Sequence, residues 1–504
     1  MVMHRTLPYR AIGAALAALL SGCAVGPDFA QPELQSGADY LNKTDPLTTA
    51  GAPGAAGTPQ KFVPSANIQN DWWALFRSRS LNTLIEEAIA KNPNIEAAEA
   101  TLRSAVAAAR AQEGSLFPLV TGNFNASQNK TAGSLSPATA SNASIYSLYT
   151  AQASVTYTLD VFGGIRRSIE AQDALADLQL YQLRAAYLTL AGNLATAAVN
   201  EASLREQIKA TEEIIRLQKD AVRILKLQSE KGQIAGLDVV AQQTALAQSE
   251  LSLVPLRKQY AQNRNLLTAL IGRFPNDTPA ETFTLQGLHL PRALPLTLPS
   301  ELVRQRPDIL AAEATLHNAS ALVGVATANR LPNLAIAANY GATSVAFDTL
   351  LAGSNRFWNV AGNAAQTIFD ADTLRQKQKA AEATFDAAAA SYRSTVLTAF
   401  QNVADALRAI QHDAAALAAA AKAERSASEY LEITKQKLEL GAASSLLLIS
   451  AQQAYQQARV ATIQARAGRL TDTIALFMAL GGGWWNHASA TAVADALPAK
   501  RNSD

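Results

Sequence analysis

The sequence predicts a mixed fold in which membrane-type β-strands alternate with very long α-helices, and in which the same series of elements occurs twice. Three observations carry this. From Tyr149 to Val161 the odd positions are apolar (Tyr149, Ala151, Ala153, Val155, Tyr157, Leu159, Val161) and the even ones polar (Thr150, Gln152, Ser154, Thr156, Thr158, Asp160). That is the period of a strand with one apolar and one polar face. The stretch from Ala371 to Leu440 holds 70 residues without a Gly or Pro, enough for a helix of roughly 105 Å. Finally, Pro93 to Leu102 matches Pro307 to Leu316, and Phe117-Pro118 matches Leu331-Pro332, both at an offset of 214; Gly232 matches Gly441, and Leu270-Ile271-Gly272 matches Ala479-Leu480-Gly481, at an offset of 209. Several matches in one order point to an internal duplication.

Taken in order, residues 1–22 read as a secretory signal: Arg5 and Arg10 give a charged start, and Ala11 to Leu20 a short apolar core. Leu20-Ser21-Gly22-Cys23 resembles a bacterial lipobox, in which the cysteine becomes the first mature residue and carries lipid. The other reading of Cys23 is a small buried hydrophobe, the common fate of a free cysteine. Position 24 is Ala, not the Asp associated with inner-membrane retention. Residues 23–75 form the lipidated N-terminal segment and linker, since 42–66 are rich in Thr, Ala, Gly and Pro with little periodicity.

The first structural repeat spans 76–287 and the second 299–484, with a proline-bearing connector at 288–298 and a tail at 485–504. Each repeat begins with a helical segment, Leu81 to Glu113 in the first, broken at Pro93. Two strands follow. Beside Tyr149–Val161, Leu334, Ile336, Ala338 and Tyr340 alternate, and Phe117 to Ala126 and Trp358 to Ile368 are weaker candidates. Then come the long helices: Ile165 to Lys231 is interrupted only by Gly192. Leu204, Ile208, Thr211, Ile215, Gln218, Val222 and Leu225 step by four and three, as do Leu246, Ser249, Leu253, Leu256, Tyr260, Asn263, Leu267 and Leu270. That spacing packs helix on helix. Pro255 is expected to interrupt and bend the second of these. Four strands cannot close a barrel, and open edges are not tolerated in lipid, so if these strands span a membrane several chains must share one barrel; the other reading of the Tyr149 strand is the edge of a soluble sandwich.

Composition removes other classes. With 43 basic and 41 acidic residues among 504, the net charge of +2 gives no footprint for nucleic acid. One cysteine excludes an intrachain disulfide framework and cysteine-based metal sites. No run of about 18 apolar residues exists to span a bilayer as a helix. The five histidines (His4, His289, His317, His412, His487) show no HExxH spacing, and nucleotide and hydrolase signatures are missing, so no enzyme and no cofactor are expected beyond the covalent lipid on Cys23.

Together these features resemble the outer membrane factor family, the TolC-like channels of tripartite efflux pumps, and within it the lipoprotein branch that serves resistance-nodulation-division pumps. The resemblance rests on Gly22-Cys23-Ala24-Val25-Gly26-Pro27-Asp28, Asp71-Trp72-Trp73, Arg306-Pro307-Asp308-Ile309 and Leu480-Gly481-Gly482-Gly483-Trp484, and covers about residues 20–485. It implies a homotrimer with a 12-stranded transmembrane β-barrel, four strands per chain, continued by a long α-helical periplasmic barrel. It implies a passive gated conduit that exports drugs or other small toxic compounds, lodged in outer-membrane lipid. Its partners would be a periplasmic adaptor (membrane fusion) protein and an inner-membrane resistance-nodulation-division transporter. The alternatives are the duct of a type I protein secretion system, or a lipid-anchored periplasmic scaffold without a pore.

The resemblance assigns the turns Lys231-Gly232 and Leu440-Gly441 to adaptor docking, although glycine at a helix C-terminus is also plain capping. It places Leu446 at an apolar periplasmic gate. Ser450 stands where a ring-forming aspartate is common, which departs from the family pattern. Asp238 is the remaining acidic candidate near the axis; its other reading is an acid favoured at a helix N-terminus.

Overall fold

The computed structural model describes residues 24–32, 46–64, 68–132, 134, 144–296 and 299–484. The signal, Cys23 and the tail therefore lie outside the described residues. In chain order the elements are β1 (Lys61–Pro64), α1 (Arg79–Lys91), α2 (Pro93–Glu113), β2 (Leu119–Lys130), β3 (Ile145–Leu159), α3 (Gly164–Glu230), α4 (Gly236–Leu270), β4 (Ala293–Leu296), α5 (Pro299–Gln305), α6 (Pro307–Ala328), β5 (Asn333–Ser344), β6 (Arg356–Ala365), α7 (Thr373–Glu439) and α8 (Ser445–Ala479). The series helix, helix, strand, strand, long helix, helix thus occurs twice, and α3 and α7 are each 67 residues long while α4 and α8 are each 35.

Local chemistry sets the boundaries. Pro93 opens α2, where a missing N–H costs nothing, and the Asn92 side chain accepts from the Asn94 amide at 2.8 Å. Both strand-to-helix junctions are capped by an aspartate. Asp160 accepts from the Ile165 and Arg166 amides at 2.8 and 3.0 Å, and Asp370 from the Leu374 amide at 2.8 Å; the negative charge also suits the helix N-terminus. Pro255 does not end its helix: α4 runs through it. The carbonyl left without a donor belongs to Leu251, an exposed residue, so water can take the place of the lost bond.

Two compact units emerge: Met1–Pro32, Arg103–Leu178 and Ala312–Tyr392 form one, and Glu33–Leu102, Gln179–Ala311 and Arg393–Asp504 the other. The first contains an antiparallel sheet in the order β2-β3-β5-β6, with β2 and β6 at its edges. Its helices pack internally; the Asn318 amide donates to the Ala171 carbonyl at 2.7 Å. By length and composition α6 alone among the described helices would suit a bilayer, but Leu316, Ala319, Ser320 and Ala321 along it are buried in protein.

The second unit holds the main hydrophobic core, around Trp72, Phe76, Leu81, Leu84, Leu194, Leu407, Leu470 and Phe477. Trp72 stacks on Phe477 at 5.4 Å. Along α3 the buried line is Gln207, Thr211, Ile214, Gln218, Ala221 and Leu225, a four-three spacing shifted slightly from the expected one, with Leu204, Ile208 and Val222 half-buried beside it. Along α4, Ser249, Leu253, Asn263 and Leu267 are buried as the spacing requires.

The expected linker and connector are more structured than their composition suggests. β1 pairs in parallel with β4, from Lys61 opposite Ala293 to Pro64 opposite Leu296. The segment before β1 is strapped to α8 by Arg469, whose fully buried guanidinium donates to the Ala56 and Thr58 carbonyls at 2.8 and 2.9 Å and to the Thr49 hydroxyl at 2.8 Å. Gln60, also buried, donates to the Pro291 carbonyl at 3.1 Å and to the Thr473 hydroxyl at 3.3 Å. A Thr-, Gly- and Pro-rich stretch has backbone carbonyls to offer, and buried donors on a neighbouring helix are enough to order it.

Candidate functional site

The sheet sorts its side chains by face. Directly paired residues share a face, and the register puts Val120, Val155, Ala338 and Val360 in one row and Gly122, Ala153, Tyr340 and Trp358 in the next. Leu159 with Leu334, and Tyr157 with Ile336, extend the same face toward the helices. The opposite face carries Thr121, Ser154, Asn339 and Asn359 in one row and Asn125, Thr150 and Thr343 in another. Val120, Phe124, Tyr340, Trp358 and Val360 are exposed. One face thus suits hydrocarbon and the other water, over strands of 10 to 15 residues, long enough to cross a membrane when tilted.

Residues 24–32 are fastened to this same unit by Arg167, which the sequence did not single out. Its buried guanidinium donates to Asp28 at 2.5 Å, to Glu170 at 2.7 Å and to the Val25 carbonyl at 3.4 Å. Glu170 also meets His317 at 2.8 Å, and Phe29 stacks on that imidazole at 4.3 Å. Burial opposes ionisation of Glu170, but its bonds to His317 and Arg167 outweigh it and hold the carboxyl below its ordinary range. The Val25 amide donates to the Phe162 carbonyl at 3.0 Å, so Ala24 lies at the junction between β3 and α3.

In the second unit, the turns from α3 to α4 and from α7 to α8 are built alike. Gly232 and Gly441 both adopt φ of +72°. The Gln233 amide donates to the Gln228 carbonyl at 2.9 Å, and the Ala442 amide to the Lys437 carbonyl at 2.7 Å. These are left-handed glycine caps. A Cβ on either glycine would meet open space, so backbone conformation rather than crowding demands glycine here. Lys231 and Leu440 are exposed beside them.

Just beyond the turns, α4 and α8 meet. The Ser445 hydroxyl donates to Asp238, and the Gln242 side-chain amide donates to Gln452 at 3.2 Å. Leu448 is buried with Ala221, Leu431 and Ala451, while Leu446 is 69% exposed. Ser450 is exposed as well, and Asp238 is half-buried. The structure therefore brings Asp238 to Ser445 rather than leaving it free, and it keeps Leu446 out of the core of its own chain. Sequence reading had no signal for the Asp238–Ser445 pair, since its members lie in different halves of the chain.

A model of the outer membrane efflux protein family matches residues 84–273 and again 298–482. The chain belongs to that family. Its members are outer-membrane channel proteins rather than enzymes, and this chain is accordingly an outer-membrane protein with a periplasmic helical extension. It is similar to the toluene efflux pump outer membrane protein TtgC of Pseudomonas putida, 29% identical over 475 residues that cover 94% of this chain and 95% of that protein. It is similar also to the pyoverdine export outer membrane protein OpmQ of Pseudomonas putida, 27% identical over 445 residues covering 88% and 94%. Among solved structures, the outer-membrane channel OprN aligns with a TM-score of 0.81 at 26% identity, covering 92% of this chain and all of that one.

The family motifs acquire physical roles in this frame. Arg306 forms a two-pronged pair with Asp308, at 2.9 and 2.6 Å, and donates to the Ala479 carbonyl at 2.7 Å, tying the start of α6 to the end of α8. Trp484 donates from its indole to the Gln305 carbonyl at 2.7 Å, and the Arg184 guanidinium lies 3.8 Å over its ring. These residues tie the junction of α5 and α6 to the end of α8 and the segment just beyond it.

Proposed function

We propose that this chain is the outer-membrane duct of a tripartite efflux pump, a passive gated conduit for small toxic compounds. The observation that carries the reading is the four-stranded sheet with one apolar face, one polar face and both edge strands unpaired among the described residues. Such a sheet is stable in lipid only when its edges are closed. Closure by three copies gives a 12-stranded barrel with the Val120 and Trp358 rows toward lipid and the Thr121 and Asn125 rows lining a wet lumen.

The duplicated turns at Lys231-Gly232 and Leu440-Gly441 are the docking tips for a periplasmic adaptor, and an inner-membrane resistance-nodulation-division transporter supplies the energy. Exposed apolar groups at this end, Leu237, Leu440 and Leu446, support contact with other chains. Leu446 forms the gate by meeting its copies near the axis; with Ser450 in place of a carboxylate, closure relies on apolar packing and dewetting. Asp238 acts as a strut between α4 and α8. Cys23 carries lipid: its neighbour Ala24 sits at the strand-to-helix junction, the level at which acyl chains can enter the inner leaflet. The relatives' names, toluene in one and pyoverdine in another, support small molecules as the exported class.

Native mass spectrometry of the detergent-extracted protein, with conductance in planar bilayers, tests this reading. A trimer with discrete channel openings is expected. A stable monomer, or a trimer with no conductance after adaptor addition, overturns it and favours a scaffold.

A further inference from the structure

The loop joining β5 to β6, residues 345–355, does not extend straight from the strands. Its Phe347 ring lies 5.6 Å from Tyr149 and 6.4 Å from Phe124, edge-on to both. Those two residues belong to the apolar face, because Phe124 pairs with Ala151 and Tyr149 with Ser344 in that set of rows. The loop is therefore folded back over the outside of the sheet rather than across its polar face.

The fold-back is built in. The Ser344 and Thr349 hydroxyls meet at 2.7 Å, the Ala346 amide donates to the Ser344 hydroxyl at 3.2 Å, and the Asn355 side-chain amide donates to the Thr349 carbonyl at 2.7 Å. Leu350 is buried, whereas Phe347 is 64% and Leu351 77% exposed. Two large apolar side chains are thus held outward by a braced turn. Phe347 continues a surface that already shows Phe124, Tyr340 and Trp358, with the cation Arg356 on the same face two pairs beyond Trp358. Aromatic rings beside a cation at the end of an apolar band are the composition of a membrane–water boundary.

We infer that the 345–355 loop is a foot resting on the lipid surface, seating Phe347 and Leu351 in the outer boundary of the bilayer. This rests on the reading of the sheet as a membrane wall. It assigns the loop to anchoring the barrel against tilt and vertical movement, not to covering the lumen or to capturing cargo.

The test uses the full chain, assembled and reconstituted into phosphatidylcholine vesicles that carry spin-labelled lipids. Leu351→Cys and, separately, Val360→Cys are labelled with an environment-sensitive fluorophore, the parent chain serving as the blank for Cys23. Val360 is an exposed strand residue of the apolar face. The expected result is blue-shifted emission at position 351, quenching by lipids labelled near the headgroup, and several-fold weaker quenching by iodide than the free dye shows. Iodide quenching at 351 equal to that of the free dye overturns the inference while leaving the membrane wall intact, provided position 360 is quenched by chain-labelled lipids. Blue-shifted emission at 351 without lipid quenching also overturns it, in favour of a contact between protein copies. Failure of lipid quenching at position 360 overturns both readings together.

Discussion

Replacing Leu446 by serine separates a gate residue from a structural one. Within its own chain Leu446 is 69% exposed, and Leu448, two residues on, is 3% exposed. Truncating a buried leucine costs about 2–5 kcal/mol. With less than a third of the Leu446 surface withdrawn from water, the same reasoning gives about 1 kcal/mol for Leu446→Ser and the full range for Leu448→Ala. The unfolding midpoint in detergent should therefore drop less for the first variant than for the second. Conductance should divide them the other way. On the proposed gate assignment, three serines in place of three leucines would wet an apolar ring, so Leu446→Ser should raise the resting conductance in planar bilayers and sensitise cells to large antibiotics. A Leu446→Ser trimer that loses stability as Leu448→Ala does, with resting conductance unchanged, would refute the gate assignment.

Cys23→Ala should abolish labelling by radioactive palmitate; mass spectrometry that finds an unmodified mature Cys23 in the parent would count against the anchor. Burial first, and then the neighbouring Asp413 carboxylate, push Asp472 up to about 7 from an ordinary 3.8. The folded chain then holds a proton that the unfolded chain releases, so this contribution is full at low pH and is lost as the pH rises to about 7. Asp472→Asn should accordingly flatten the fall of the unfolding midpoint between about pH 4 and pH 7, and identical profiles for variant and parent would disprove the assignment. Arg469→Met leaves the Ala56 and Thr58 carbonyls without their donor, at about 1–3 kcal/mol for each unsatisfied group; trypsin should then cut at Lys61 faster, and unchanged cleavage would show that the strap does not depend on Arg469.

The long helices were legible because nothing between Ala371 and Leu440 can stop a helix, and the observed α7 begins and ends within two residues of that window. The strands were legible where alternation is strict, as in β3. They were less so in β2, where asparagines and a serine alternate with a glycine and an alanine and the apolar face thins out. The order of the strap before β1 was not legible because it comes from outside itself: Arg469 and Gln60 have no local pattern that reveals their partners. The tips were legible as glycine turns. Which of Asp238 and Leu446 faces inward was not, because the answer depends on the rotation of α4 against α8, and Ser445 reaches Asp238 across 207 positions of sequence.

The matched lengths of the long helices constrain how such a chain can vary in evolution. Inserting one residue into α3 would turn everything beyond it by about 100° and push it about 1.5 Å along the axis. The buried line through Gln207, Thr211, Ile214 and Gln218 would then face another direction past the insertion. Substitutions can accumulate along these helices, but length changes within them are tolerated only in whole heptads made in α3 and α7 together. Gains and losses of single residues are therefore expected to collect in the hairpin loop at 345–355 and in the strap before β1, where one residue more or less rotates nothing else.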